Sequence, residues 1–231
     1  MLTYRKTLTA SAFALLALLA NAACAPLAGG DATGSGSGAP PKPAAGGTAL
    51  AAVDALAVKG RAPKTGYERE KFGRAWVDVD RNGCGTRDDI LRRDLSGVRF
   101  TDGHCKVASG TLKDDPYTGG SLAYVRGRSK VDIDHVVALS DAWQKGAQKW
   151  DSGTRLRFAN DPLNLLAVDS AANRRKSDGD AATWLPPNRA YRCAYVARQV
   201  AVKKKYGVWV TSGERDAMRR VLTTCPEQRL P

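Results

Sequence analysis

The run Val131-Asp132-Ile133-Asp134-His135 carries one of only two histidines in a chain of 231 residues. Its imidazole follows directly on a carboxylate, at the end of a stretch where apolar and acidic residues alternate. That pair suits hydrolysis. A carboxylate is a hard ligand for a divalent ion, and a neutral imidazole takes a proton from water near neutral pH. Downstream lie Asn160-Asp161-Pro162-Leu163-Asn164-Leu165-Leu166 and then Asn173-Arg174-Arg175-Lys176. An amide oxygen is a further hard ligand, so Asp134 and Asn173 together suit Mg²⁺, which keeps several waters and binds substrate phosphate. Lys176, one turn beyond Asn173, falls on the same side of a helix and is a candidate phosphate contact. Each residue alone has an ordinary account: a surface Asp-His pair, a turn into a core strand, a solvated helix position. Their order and context point to a site.

The elements that must position these groups can be read from periodicity. Val131 and Ile133 alternate with Asp132 and Asp134, the period of a half-buried strand, so both aspartates share a face and His135 stands where the strand gives way to a loop. Leu165, Leu166 and Val168 form a second short strand. Asp169 is a fitting N-cap for a helix from Ser170 to Ser177. Strand, loop, strand and helix would gather Asp134, His135 and Asn173 around one point.

Asp132-Ile133-Asp134-His135-Val136-Val137, Asn164-Leu165 and Asn173-Arg174-Arg175-Lys176-Ser177-Asp178 resemble the HNH, or His-Me finger, endonucleases. The resemblance implies an α+β fold: a ββα-metal finger embedded in a single mixed domain. It also implies roles. Asp134 and Asn173 bind the metal, His135 activates water, and Asn164 braces the histidine-bearing loop. Across roughly residues 67 to 225 the chain is similar to secreted bacterial HNH-family proteins of the DUF-type nuclease group. That likeness includes Asp80-Arg81-Asn82-Gly83-Cys84, Asp115-Pro116-Tyr117-Thr118-Gly119, Ala142-Trp143, Phe158-Ala159-Asn160-Asp161 and Trp184-Leu185-Pro186-Pro187. Asn173 stands where many members have His, which favours an oxygen-ligated ion over zinc. The long connection between His135 and Asn164 reads as an inserted helical segment.

Residues 1 to 23 read as an export signal: Arg5 and Lys6, then a mostly apolar stretch from Leu8 to Ala20 too short to span a bilayer, then small residues. Ala22-Ala23-Cys24 also resembles a lipobox, which would put a lipid anchor on Cys24, although Asn21 stands where such sites have an apolar residue. Residues 24 to 47 are Gly, Ala, Ser, Pro and Thr and read as a flexible linker. Residues 48 to 231 then suit one domain.

Within that domain, Thr48 to Lys59 reads as helix. Asp78-Val79-Asp80-Arg81-Asn82-Gly83, with Asp89 beyond, partly mimics a calcium loop. A capping box of Thr86 and Asp89 opening a helix to Leu95 is the simpler account. His104 lacks an acidic neighbour in its motif and reads as structural or surface. Strands are predicted over Cys105 to Leu112 and Leu122 to Val125, and helix from Leu139 to Ala159. Arg155 and Arg157 on that helix, and Arg174 beside Asn173, are candidate phosphate contacts, with a solvated basic face as the ordinary alternative.

The C-terminal third reads as a helical hairpin. Asn188 caps a helix from Arg189 to Tyr206 that Gly207 stops, and Thr211 with Glu214 opens a second helix to Thr224. Cys193 and Cys225 lie equally far from the intervening turn, so an antiparallel pair brings both to one end. That register pairs Cys193 with Cys225 and leaves Cys84 with Cys105, as an oxidising compartment permits.

The formal net charge is +13. Removing residues 1 to 23 takes away only Arg5 and Lys6 among charged side chains, so the excess stays positive and favours polyanionic partners. Phosphate contacts give affinity without sequence choice. The reading is a secreted endonuclease, dependent on one divalent ion (Mg²⁺, with Mn²⁺ or Ca²⁺ as alternatives), cutting DNA or RNA with little sequence specificity. The rival is a non-catalytic extracellular module binding DNA or an anionic cell-wall polymer. A glycoside hydrolase would want two opposed carboxylates, and Asp132 with Asp134 on one strand face is a poor arrangement for that.

Overall fold

A computed structural model describes residues 47 to 231. The export segment, Cys24 and nearly all of the linker lie outside the described residues. In chain order the elements are α1 (Ala49–Asp54), α2 (Thr86–Asp94), β1 (Ser96–Phe100), β2 (Val107–Leu112), β3 (Leu122–Val125) and β4 (Val131–His135). They continue with α3 (Leu139–Gln144), α4 (Ser152–Ala159), β5 (Leu165–Asp169), α5 (Ser170–Lys176), α6 (Arg192–Tyr206) and α7 (Ser212–Leu222). The fold is mixed α+β. β1, β2 and β3 make an antiparallel sheet, and β4 pairs antiparallel with β5 in a separate two-stranded one.

The β4–β5 pair is enclosed on both faces. Its register sets Asp132 opposite Val168, Ile133 opposite Ala167 and His135 opposite Leu165. Val131, Ile133, Leu165 and Ala167 pack with Ile90 and Leu91 of α2. Leu166 and Val168 pack on the other side with Tyr117, Tyr195 and α7 residues such as Met218. Double-sided burial explains why β5 reads as a continuous apolar run while β4 alternates. β4 gives its second face to Asp132 and Asp134, beneath α5.

The predicted helix over Leu139 to Ala159 is two helices. Gly146 (φ 128°) breaks it, and a Cβ there would come 3.2 Å from the Trp209 ring. Asp151 then recaps the chain for α4, accepting from the Thr154 amide at 2.7 Å. α1 ends at Asp54, short of Lys59. Beyond it the chain runs extended, with Val58 bridged to Val210 and the Lys59 amide bonded to the Val210 carbonyl at 3.0 Å. The capping box ahead of α2 does not form. Gly85 is the N-cap, and Thr86 sends its hydroxyl to the Val77 carbonyl. Asn82 fills the acidic loop before it, donating to Asp80 and Asp89 at 3.0 Å each. His104 is exposed, as read from its neighbours.

The C-terminal hairpin forms with Gly207 in the left-handed region (φ 66°) as the α6 C-cap. Asn188 makes no side-chain cap; a 3₁₀ turn at Arg189–Tyr191 leads into α6 instead. Cys193 is bonded to Cys225 and Cys84 to Cys105, the predicted connectivity. Thr211 caps α7 through the Glu214 amide at 3.1 Å. The Glu214 carboxylate, however, turns inward. Lys145 and Lys203 meet Asp141, Asp180 and Glu214 in a buried cluster that Arg61 closes from its edge. Three positive and three negative groups balance, as burial of charge requires.

Candidate functional site

The site lies where β4 ends. Asn164 fixes the backbone there: its side-chain oxygen accepts from the Val137 amide at 2.8 Å, and its nitrogen donates to the Val137 carbonyl at 3.2 Å. Its own carbonyl accepts from the Val136 amide at 2.8 Å. The two residues after His135 are therefore gripped by one buried asparagine. The Asn164 segment is held in turn by Arg93, which donates to the Pro162 and Leu165 carbonyls at 2.8 and 2.7 Å, and by Arg198 on the Leu163 carbonyl at 3.0 Å.

His135 projects to the face opposite Asp134, as successive strand residues do. Its Nε2 lies 2.8 Å from the Ala159 carbonyl at the end of α4. A carbonyl only accepts, so Nε2 carries the proton and the lone pair is on Nδ1. Burial pushes the imidazole pKa down to about 3; the Ala159 bond opposes the shift, and the charges of Arg69 and Lys176 add to it. The ring is neutral at physiological pH. It lies nearly parallel to Trp76, with centroids 6.4 Å apart. Both rings line a cavity of about 440 Å³ with Arg69, Phe72, Arg74 and Leu139.

Asp134 is buried beneath α5. Lys176 lies 3.0 Å from its carboxylate and also donates to the His135 carbonyl at 2.9 Å. The Tyr117 hydroxyl donates to the same carboxylate. Burial and the neighbouring Asp134 charge hold the Tyr117 pKa well above its ordinary value, so it remains a donor. Asn173 lies on the same strand–helix face, but its amide donates to Asp132 at 3.3 Å. Asp134 and Asn173 are thus on one face without a bond between them. Lys176, expected at phosphate, is fully buried.

The arginines divide. Arg155 spends its guanidinium on the Lys71 and Trp150 carbonyls, so it ties α4 to its neighbours rather than standing free. Arg157 is exposed and bonds locally to Thr154 at 2.8 Å. Arg174 is exposed on α5. Sequence reasoning gave no role to Tyr117, Trp76 or Asn160. Tyr117 and Asn160 stand only inside quoted motifs, with no role attached, and Trp76 stands in none. Among the described residues, no three His, Cys, Asp or Glu side chains cluster as a metal-binding group, and no helix is long and apolar enough to cross a membrane.

Comparison with known proteins gives this geometry a family. A secreted protein of uncharacterised function from Arthroderma benhamiae is 39% identical over 188 residues, covering 80% of this chain and 89% of the relative. That relative is fungal, so the likeness extends beyond the bacterial proteins suggested by the motifs. Residues 85–221 match the family described as the C-terminal domain of GmrSD restriction endonucleases. The match runs from α2 into the last turn of α7 and covers more than half of the sequence, while the Arg69-to-Trp76 segment against His135 precedes it. The chain belongs to that nuclease-like family.

Proposed function

We propose that this chain is a secreted, metal-dependent endonuclease of the His-Me finger type, hydrolysing phosphodiester bonds in DNA or RNA with little sequence choice. The observation that carries the reading is the end of β4, where a backbone carbonyl holds a neutral imidazole on one strand face and the adjacent carboxylate lies on the other face, under helix α5. With Nε2 committed to Ala159, Nδ1 is the atom that takes a proton from water. The water oxygen forms a bond to phosphorus as the bond to the leaving oxygen breaks. Asn164 keeps the histidine-bearing backbone in place through this step.

The donor set fits a hard divalent ion. Asp132, Asp134 and Asn173 carry oxygen on one face; Lys176 and Tyr117 occupy the Asp134 carboxylate, so an ion there would have to take the place of the Lys176 ammonium. Asp134 and Asn173 would hold the ion, Mg²⁺ first, with Mn²⁺ and Ca²⁺ as alternatives. When bound, it would stabilise charge on the phosphate and the leaving oxygen. The exposed Arg157 and Arg174 and the +13 charge favour a polyanionic substrate. The family description supports nuclease chemistry. Two disulfides and a secreted relative support an extracellular location, whether free or lipid-anchored at Cys24.

The test is nicking of supercoiled plasmid by the purified chain, with Mg²⁺ and with chelator, beside His135→Ala. Chelator-sensitive cutting should fall at least roughly 100-fold in the variant, as loss of a general base does. Salt-sensitive plasmid retention without cutting in any divalent ion would instead establish the non-catalytic binding module.

A further inference from the structure

The cavity beside His135 has walls that a proton transfer does not need. Trp76 forms one side, nearly parallel to the imidazole, and Phe72 and Leu139 complete an apolar lining. Positive charge surrounds it. Arg69 and Arg74 are exposed lining residues, and the Arg87 guanidinium lies 5.6 Å from the Trp76 ring centroid. One acid, Glu70, is among the lining residues. An aromatic platform inside a basic rim is the combination that takes a nucleic-acid base, with stacking for the ring and cations for the flanking phosphates.

The platform is held deliberately. Trp76 has φ 61°, a left-handed conformation rarely adopted by a bulky residue and sustained only where the surroundings impose it. The next residue supplies the constraint. The Val77 amide donates to the side-chain oxygen of buried Asn160 at 3.1 Å, and the Val77 carbonyl accepts from Thr86. Asn160 also donates to the Leu156 carbonyl at 3.0 Å. It directly follows Ala159, whose carbonyl holds His135. Consecutive residues at the end of α4 therefore set both rings that bound the cavity.

We propose that this cavity receives one unstacked base of the strand being cut, making the preferred substrate single-stranded or locally unpaired nucleic acid. The proposal rests on the nuclease reading and narrows its substrate class. A duplex keeps its bases inside the stack and offers only their edges in the grooves. Reaching a platform beside His135 requires a base to leave the stack, and that costs least where it is already unpaired.

The test is equilibrium binding of the full chain in chelator, where nothing is cut. The ligands are a short labelled oligothymidylate, a fully abasic strand of equal phosphate count, and a duplex of the same length. The chain should bind oligothymidylate more tightly than duplex, and roughly 5- to 150-fold more tightly than the abasic strand, the span that stacking of a base supplies. Trp76→Ala should lose that advantage and bind the abasic strand as before, while Trp76→Phe retains most of it. Equal binding of thymidylate and abasic strands by the unaltered chain overturns the proposal, whatever the variants do. Plasmid nicking run in parallel separates the two readings. Cutting without base-dependent binding removes the pocket and leaves the nuclease, whereas base-dependent binding without cutting removes the nuclease and leaves the pocket.

Discussion

Replacing Lys145 by methionine removes one ammonium from the buried cluster while keeping most of the side-chain volume. Lys145 contacts Asp141 at 2.6 Å, Asp180 at 2.7 Å and Glu214 at 2.6 Å, and all four side chains are at most 3% exposed. Without it, three carboxylates face only Lys203 and Arg61, leaving a buried negative charge unbalanced. Breaking a buried pair by removing one partner costs about 3–5 kcal/mol. For a domain of this size that corresponds to roughly 6–20 °C in Tm. Arg61 is the internal control. It touches Asp141 at 3.1 Å and Asp180 at 2.7 Å, but its side chain is 34% exposed, so Arg61→Met should cost about 1 kcal/mol. Adding Glu214→Gln to Lys145→Met restores charge balance and should recover part of the loss. Guanidinium unfolding followed by tryptophan fluorescence measures all three. If Lys145→Met costs no more than Arg61→Met, the cluster is not an ionic core and the reasoning fails.

Asn164→Ala leaves the Val137 amide and carbonyl without their side-chain partners. It should cost about 2–4 kcal/mol and speed hydrogen exchange at Val137; unchanged exchange there would refute the brace. Acid should weaken the fold through Asp180. Burial alone would raise its pKa, but the Lys145 hydrogen bond and charge, then Arg61, hold it at about 2 against an ordinary 3.8. Because the folded value is the lower one, the contribution of about 2 kcal/mol is complete above pH ~4 and is lost as pH falls through ~2. Denaturant midpoints between pH 5 and 2 should fall accordingly, and Asp180→Asn should flatten that part of the curve. Replacing both Cys193 and Cys225 by serine opens a link across 32 residues. The expected loss is about 3–4 kcal/mol, and an unaltered melting temperature would show the bond to be dispensable.

Much around His135 was legible because local rules agreed. Alternation gave β4, a continuous apolar run gave β5, and Asp169 announced α5 by capping it, accepting from Ala172 at 2.7 Å. Hairpin register gave the disulfides. What could not be read depended on distant contacts. Gly146 breaks a helical pattern because Trp209, far along the chain, fills the space at its α-carbon. Glu214 has the spacing of a capping box, yet its carboxylate answers two buried lysines instead. Lys176 reads as a surface cation because helical spacing says which side of α5 it occupies, not what covers that side. Tyr117 depends on a turn closed by Asp115, whose other oxygen accepts from the Asp169 amide at 2.9 Å. No periodicity reports such a contact.

Those distant contacts explain how so short a helix holds a fixed position. α5 has seven residues, too few to be stable alone. Its start is tied to β5 by the Asp169 cap. Its last turn is tied to the end of β4 by Lys176, through Asp134 and the His135 carbonyl. Just beyond it, Asp180 enters the Lys145 cluster and anchors the outgoing chain to α3 and α7. Asn173 therefore sits between anchors on separate elements, and its place relative to Asp134 and His135 does not depend on α5's own helical propensity. The buried Lys176 expresses this division of labour. A lysine committed to Asp134 and to the histidine's carbonyl cannot also track a phosphate backbone, so under the proposed function contact with substrate would fall to exposed Arg174 on the same helix and to Arg69 and Arg74 beside the cavity.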